Sequence, residues 1–138
     1  MKNRIFGLLL TVVCSNALAS WELVRNSPGE VKVFLDRAKI ERTGNLVRVW
    51  SLFDLASAQA SPSGLSFLST TSHVEFDCSN RTRRMISVNF YDSAMGGGQL
   101  VSKRQFKKGQ SRFDPVAMNS VAADVMRAAC APAPAARK

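Results

Sequence analysis

The stretch His73-Val-Glu-Phe-Asp-Cys78 decides how the rest of the chain is read. Side chains of a strand point alternately to its two faces, so Val74, Phe76 and Cys78 share one face, and the cysteine points the way the apolar residues do. The stretch is the end of a strand, and Cys78 is half of a pair. Its partner is Cys130, at the end of the last helical segment. Bonded, the two pin the tail of the chain onto a sheet and close residues 79–129 into a loop.

The pairing follows from what precedes it. Lys2 and Arg4 form a charged n-region, Ile5 to Val13 a short apolar h-region, and Ala17-Leu18-Ala19 a small-residue cleavage site. Residues 1–19 therefore read as a bacterial signal peptide, and Ser20 opens the mature chain. A lipoprotein reading of Cys14 meets Val13 where a small residue is wanted. Cleavage after Ala19 removes Cys14 and leaves an even number of cysteines in an oxidising compartment, which favours a Cys78–Cys130 disulfide. No later stretch is apolar and long enough for a membrane span. Residues 20–130 suffice for one small domain, and 131–138 (APAPAARK) read as a disordered tail.

The formal charge is +9, and loss of Lys2 and Arg4 brings it to +7. In an exported protein this points away from nucleic acid. It points towards anionic surfaces such as lipopolysaccharide, phospholipid head groups, sulfated glycans or acidic proteins.

In chain order, Trp21–Val24 and Val31–Asp36 read as strands joined by the turn Asn26-Ser-Pro-Gly29. Arg37 to Glu41 is a link in which Ile40 dips into the core, and Thr43-Gly-Asn45 is a tight turn. Leu46 to Leu55 is the strongest strand, with Val47, Val49, Phe53 and Leu55 on one face and Leu46, Arg48, Trp50 and Asp54 on the other. Trp50 is expected to pack. Ala56 to Ser63 (ASAQASPS) reads as a mobile loop. Leu65 to Asp77 reads as a long strand broken near Ser72, and Ser79-Asn80 as a turn. Arg83 to Tyr91 and Gln99 to Phe106 form a hairpin around Ala94–Gly98. Gln110 to Met118 reads as irregular. Val121 to Cys130 reads as a helix capped by Asn119 or Ser120, with Val121, Val125 and Ala128/Ala129 lining its inner face. The expected fold is α+β, an antiparallel sheet of about six strands with a C-terminal helix on one face, tethered by the disulfide.

These landmarks, in order, resemble the bacterial surface-adhesin protein E family. They are Trp21, the strand ending in Asp36, Ile40 and the Gly44-Asn45 turn, Val49-Trp50, Asp77-Cys78, Tyr91, Gly96 to Gly98, Pro115, Ser120 and Cys130. The resemblance spans nearly all of the mature chain. It implies a six-stranded antiparallel sheet whose concave side holds a disulfide-tethered helix. It also implies a surface adhesin that dimerises and binds host matrix and plasma proteins. The well-studied adhesin is lipid-anchored, whereas this chain lacks a good lipobox.

No constellation for catalysis, metal or cofactor stands out. His73 is the single histidine, no Gly-x-Ser-x-Gly elbow is present, and Gly96–Gly98 lacks the Lys-Ser/Thr of a phosphate loop. His73 reads as a strand histidine with its polar edge wet. Asp36, Asp54, Glu75 and Asp77 lie far apart in sequence, and nothing marks any two as an acid/base couple.

The sharper feature is basic. Arg81, Arg83 and Arg84 open the fifth strand, and Lys103, Arg104, Lys107 and Lys108 close the sixth. Antiparallel pairing about the Gly-rich tip places Arg83 near Lys107 and Lys108. The two runs then merge into one patch suited to a sulfated glycan or an acidic protein segment. The expected function is that of an exported, non-enzymatic, adhesin-like binding protein that contacts host or envelope macromolecules through its sheet and this patch. A periplasmic envelope module without adhesive role is the alternative.

Overall fold

The computed structural model describes residues 20–132; the expected signal peptide and nearly all of the expected tail lie outside them. Eight strands form one antiparallel sheet. They are β1 (Trp21–Ser27), β2 (Val31–Asp36), β3 (Glu41–Thr43), β4 (Leu46–Ala60), β5 (Ser66–Asp77), β6 (Thr82–Tyr91), β7 (Leu100–Gln105) and β8 (Asp114–Pro115). The helix α1 (Val121–Cys130) closes the chain. The main path runs β1-β2-β4-β5-β6-β7, while β3 pairs with β4 and β8 with β6. Six strands carry the sheet as the sequence predicts; β3 and β8 are additions.

Alternation builds the core. Val33 and Leu35 of β2, Val47 and Val49 of β4, and Val74 and Phe76 of β5 point to one face. They join Ala123, Val125, Met126 and Ala129 of α1 in a single buried cluster. The helix is only 10 residues long and marginal by itself, so its order comes from this burial and from Cys130. Ser120 is the N-cap: its hydroxyl accepts from Ala123 N at 3.1 Å. Asn119 takes a left-handed φ of 62° just before it. The expected inner face holds at Val125 and Ala129 and extends to Ala123 and Met126. Val121 and Ala128 are only partly buried, and Ala123, Met126 and Ala129 carry the contact with Val125.

Arginines from the sheet and from the turn after β2 also hold the helix. Arg25 of β1 bonds Asp124 at 3.0 Å, and Arg37 and Arg42 donate to the carbonyls of Ala128 and Ala131. Cations at the carbonyl end and an acid in the first turn both complement the helix dipole.

Two further expectations are corrected. Ala56–Ala60 is strand, the continuation of β4, and Gln59 and Ala60 pair with Phe67 and Ser66 across a bulge. These residues have weak strand propensity. Their conformation comes from the β4–β5 hairpin, which is anchored by Phe67 edge-on to Phe90 at 5.0 Å and by Ser63 Oγ donating to Val101 O. β5 runs unbroken through Ser72; the irregularity is a register shift against β6 between His73 and Val74.

On the face away from α1, the loop after β6 folds back over the sheet. Asp54 accepts from Met95 N at 2.7 Å, and Ser69 Oγ from Gly96 N at 2.8 Å, which covers Leu52. Trp50 is half-buried on this face and stacks on His73, with ring centroids 4.5 Å apart and planes 2° from parallel.

Candidate macromolecule-binding surface

The disulfide joins Cys78 to Cys130 with Cα atoms 5.8 Å apart. Both cysteines pack against the helix-side core, because Cys78 follows Val74 and Phe76 in the alternation. Arg81 stands beside this tether. It takes a left-handed φ of 54° in the turn after β5, and its carbonyl accepts from Val116 N.

The two basic runs meet only in part: Arg84 shares a cleft with Lys107 and Lys108, and Arg83 does not line it. The β6–β7 register matches the expected one, with Val88 opposite Arg104 and Asn89 opposite Lys103, but the ladder ends at Ser87 and Gln105. Ile86 O still accepts from Phe106 N at 3.0 Å; the chain then turns at Lys107–Gln110, with Gly109 at a φ of 90°. Arg83 is therefore not beside Lys107 and Lys108. It pairs with Asp114 of β8, while its β5 neighbour is the core residue Phe76. Arg104 lies over the Phe106 ring at 5.0 Å, and Lys103 is exposed on β7.

Arg84 has the better-defined position. In the row Arg48–Glu75–Arg84, three neighbouring strands meet on the face opposite the helix. Glu75 is only 2 % exposed. Arg48 Nε donates to its Oε2 at 2.6 Å, and Arg84 Nε to its Oε1 at 2.7 Å. Burial by itself would raise the Glu75 carboxyl; the two guanidinium groups more than offset that and hold it below its ordinary range. Arg84 is further held by the Phe113 ring, 5.0 Å from its guanidinium carbon.

Arg48, Arg84, Lys107, Lys108 and Ser111 line an open cleft of about 290 Å³. Four cations face two carboxylates, Glu75 and the Glu41 that stands opposite Arg48 on β3, which leaves this cleft net positive. Sequence reasoning named Arg84, Lys107 and Lys108 for a partner site but not Arg48, Glu75 or Ser111. The missed signal was the alternation itself: Glu75 lies between Val74 and Phe76, hence on the polar face, as does Arg48 between Val47 and Val49. Beside the row, burial lowers the His73 imidazole below its ordinary value. Arg48 adds to that, while Glu41 and Glu75 oppose it.

Among the described residues, no three His, Cys, Asp or Glu side chains come together as a metal site. No helix among them is long and apolar enough to cross a membrane.

The sequence model described as "Surface-adhesin protein E" matches residues 21–131. The chain belongs to the surface-adhesin protein E family. Solved structures of protein E from Haemophilus influenzae share the fold. Crystal form II aligns with a TM-score of 0.56 at 14 % identity, covering 78 % of this chain and 91 % of that one. Protein E from a non-typeable strain aligns with a TM-score of 0.56 at 16 % identity, covering 84 % and 78 %. No curated protein sequence matches. The family makes this an adhesin-like surface protein, and its cleft is the candidate contact surface.

Proposed function

We propose that this protein is exported by its signal peptide and acts without catalysis, holding extended anionic macromolecules of a host or of the bacterial envelope against its sheet. The observation that carries this reading is the Arg48/Arg84/Lys107/Lys108 cleft within an adhesin-family fold. The cleft is open, with its cations set among the apolar Met85, Ile86 and Phe106, so a polymer can be gripped from outside by charge and by contact with its less polar faces. Arg81, Arg83, Lys103 and Arg104 extend positive charge around it and steer the approach of a polyanion without forming the grip. A second copy of the chain is the other partner the family resemblance implies, and light scattering of the purified protein checks it.

The test has two parts. Whole-cell protease shaving or surface labelling shows whether the protein is displayed, and capture of matrix and envelope macromolecules by the purified protein shows what it holds. Surface display with capture that is lost in Lys107→Glu/Lys108→Glu supports the reading. Strict periplasmic retention removes the adhesive role and leaves an envelope module.

A further inference from the structure

We infer that the cleft is a sulfate-recognition site and that its ligand is a sulfated polysaccharide. The inference rests on the binding role proposed above and narrows it to one ligand class. Three features point the same way.

The first is the use of the guanidinium groups. Glu75 engages Arg48 and Arg84 through Nε, with Arg84 Nη2 also 2.6 Å from Oε1. Among the described residues, no hydrogen bond occupies the terminal nitrogens of Arg48 or Nη1 of Arg84. The buried carboxylate thus fixes two planar forks by their inner edges and leaves their outer donors for an oxyanion. A ligand there finds the donors already ordered, so little side-chain entropy is lost on binding.

The second is the shortness of the free strand edge at the cleft, where only Arg84 and Met85 of β6 lie open between β8 and β7. The outer edge of β6 is covered by β8 at Thr82 and Arg83 and by β7 from Ser87 onward, with Phe106 N on Ile86 O between them. That edge is too short for a peptide to add as a strand, so recognition falls to side-chain donors.

The third is the shape of the opening. The cleft offers cations and the Ser111 hydroxyl around an open mouth, beside the apolar Met85, Ile86 and Phe106, and Lys107 and Lys108 in its lining are exposed. An acidic peptide would have to immobilise long, freely rotating carboxylate side chains. Sulfate groups borne on sugar rings are short-tethered and closely spaced, and several cations can be met at once.

Binding of the purified protein to an immobilised, heavily sulfated glycan of the heparin type tests this. The comparison ligands are the same glycan with its sulfates removed, polyglutamate, and vesicles carrying anionic phospholipid. The sulfated glycan is expected to bind at least ten-fold more tightly than each of the three. Lys107→Glu/Lys108→Glu is expected to weaken that binding at least ten-fold. Lys32→Glu/Lys39→Glu, with the same change in net charge outside the cleft, should stay within two-fold of wild type. Arg84→Lys, which keeps the charge but loses the fork, should weaken binding about five-fold. Equal losses in the two double variants overturn the site, and equal affinity for polyglutamate, the desulfated glycan or the vesicles overturns the ligand class. If cells bind the protein as well after sulfatase treatment, the inference fails while the adhesive reading stands. If the glycan binds but cells do not, the adhesive reading fails while the cleft's ligand stands.

Discussion

Arg84 Nε stands 2.7 Å from Oε1 of Glu75, across β5 and β6 and on the face of the sheet turned away from the helix. The same carboxylate accepts from Arg48 on its other oxygen, so one buried acid ties three strands together. Hydrogen bonds to charged groups contribute about 1.5–3 kcal/mol each. Glu75→Gln keeps the shape but loses the charge, and should lower unfolding free energy by about 1–3 kcal/mol in urea denaturation.

The acid limb of stability follows from the same bonds. Glu75, Asp124, Asp77 and Glu22 are all held below their ordinary values, the last three mainly by hydrogen bonds from Arg25, Asn80 and Arg37 respectively. The unfolded chain therefore binds more protons than the folded one as the medium acidifies. The stabilisation is fully present above the ordinary carboxylate range, starts to be lost as pH falls into it, and is gone once pH is below the depressed folded-state values. Melting temperature should drop below about pH 4.5, with a shallower slope in Glu75→Gln. An unchanged slope in that variant would show that Glu75 is not protonating there.

His73 adds a separate step. Its imidazole, stacked on Trp50, is neutral to lower pH in the folded state than in the unfolded one. Stability should begin to fall as pH drops below 6.5 and level off once the folded imidazole is charged. His73→Gln should remove this step while leaving the steeper carboxylate limb in place, as followed by thermal melts between pH 5 and 7.5.

The disulfide encloses most of the second half of the chain, with a sequence separation of 52. Loop-entropy arguments put its contribution at about 4 kcal/mol. Cys130→Ser, or reduction, should free α1 first and leave the sheet formed. Hydrogen exchange should then show lost protection at 121–130 and retained protection in β4 and β5. Simultaneous loss in both would mean that helix and sheet unfold as one unit.

Gly96, in the loop that returns over the sheet, has a φ of 69°, and an added Cβ there would sit 3.2 Å from Leu52 Cδ1. Gly96→Ala combines left-handed strain with that crowding, and should cost about 1–2 kcal/mol. Proteolysis within 92–99 should quicken as the loop lifts. Ser120→Ala, at the other end of the molecule, should cost about 1 kcal/mol through the lost helix cap.

Most of the architecture was legible where one face of an element is buried. Val31–Asp36 and Val121–Cys130 have the boundaries their patterns predict, and Cys78 is on the core side because it follows Val74 and Phe76 in the alternation. The Ala56–Ala60 strand was not legible: small, exposed residues carry no pattern, and they are extended by pairing with Ser66 and Phe67 and by Ala56 N donating to Glu30 O. The site was half legible. Composition marks Arg84, Lys107 and Lys108 as basic, but which cations share a cleft depends on where the β6–β7 ladder stops. That point is set by the turn at Lys107–Gln110, in which Gln110 Oε1 accepts from Lys107 N at 2.8 Å. Arg48 and Glu75 are separated by 27 positions, so their meeting needs the β4–β5 register, which no local signal supplies.

That register has a consequence for how the strands find one another. A slip of one residue would turn Glu75 into the helix-side core. A slip of two keeps every side chain on its proper face, so hydrophobic burial alone scarcely distinguishes it from the native alignment. Glu75 would then stand opposite Leu46 or Trp50 on β4, losing Arg48 and keeping only Arg84 of β6 beside its buried charge. The carboxylate thus works as an alignment key: it penalises the near-miss pairings that a uniform row of valines would accept.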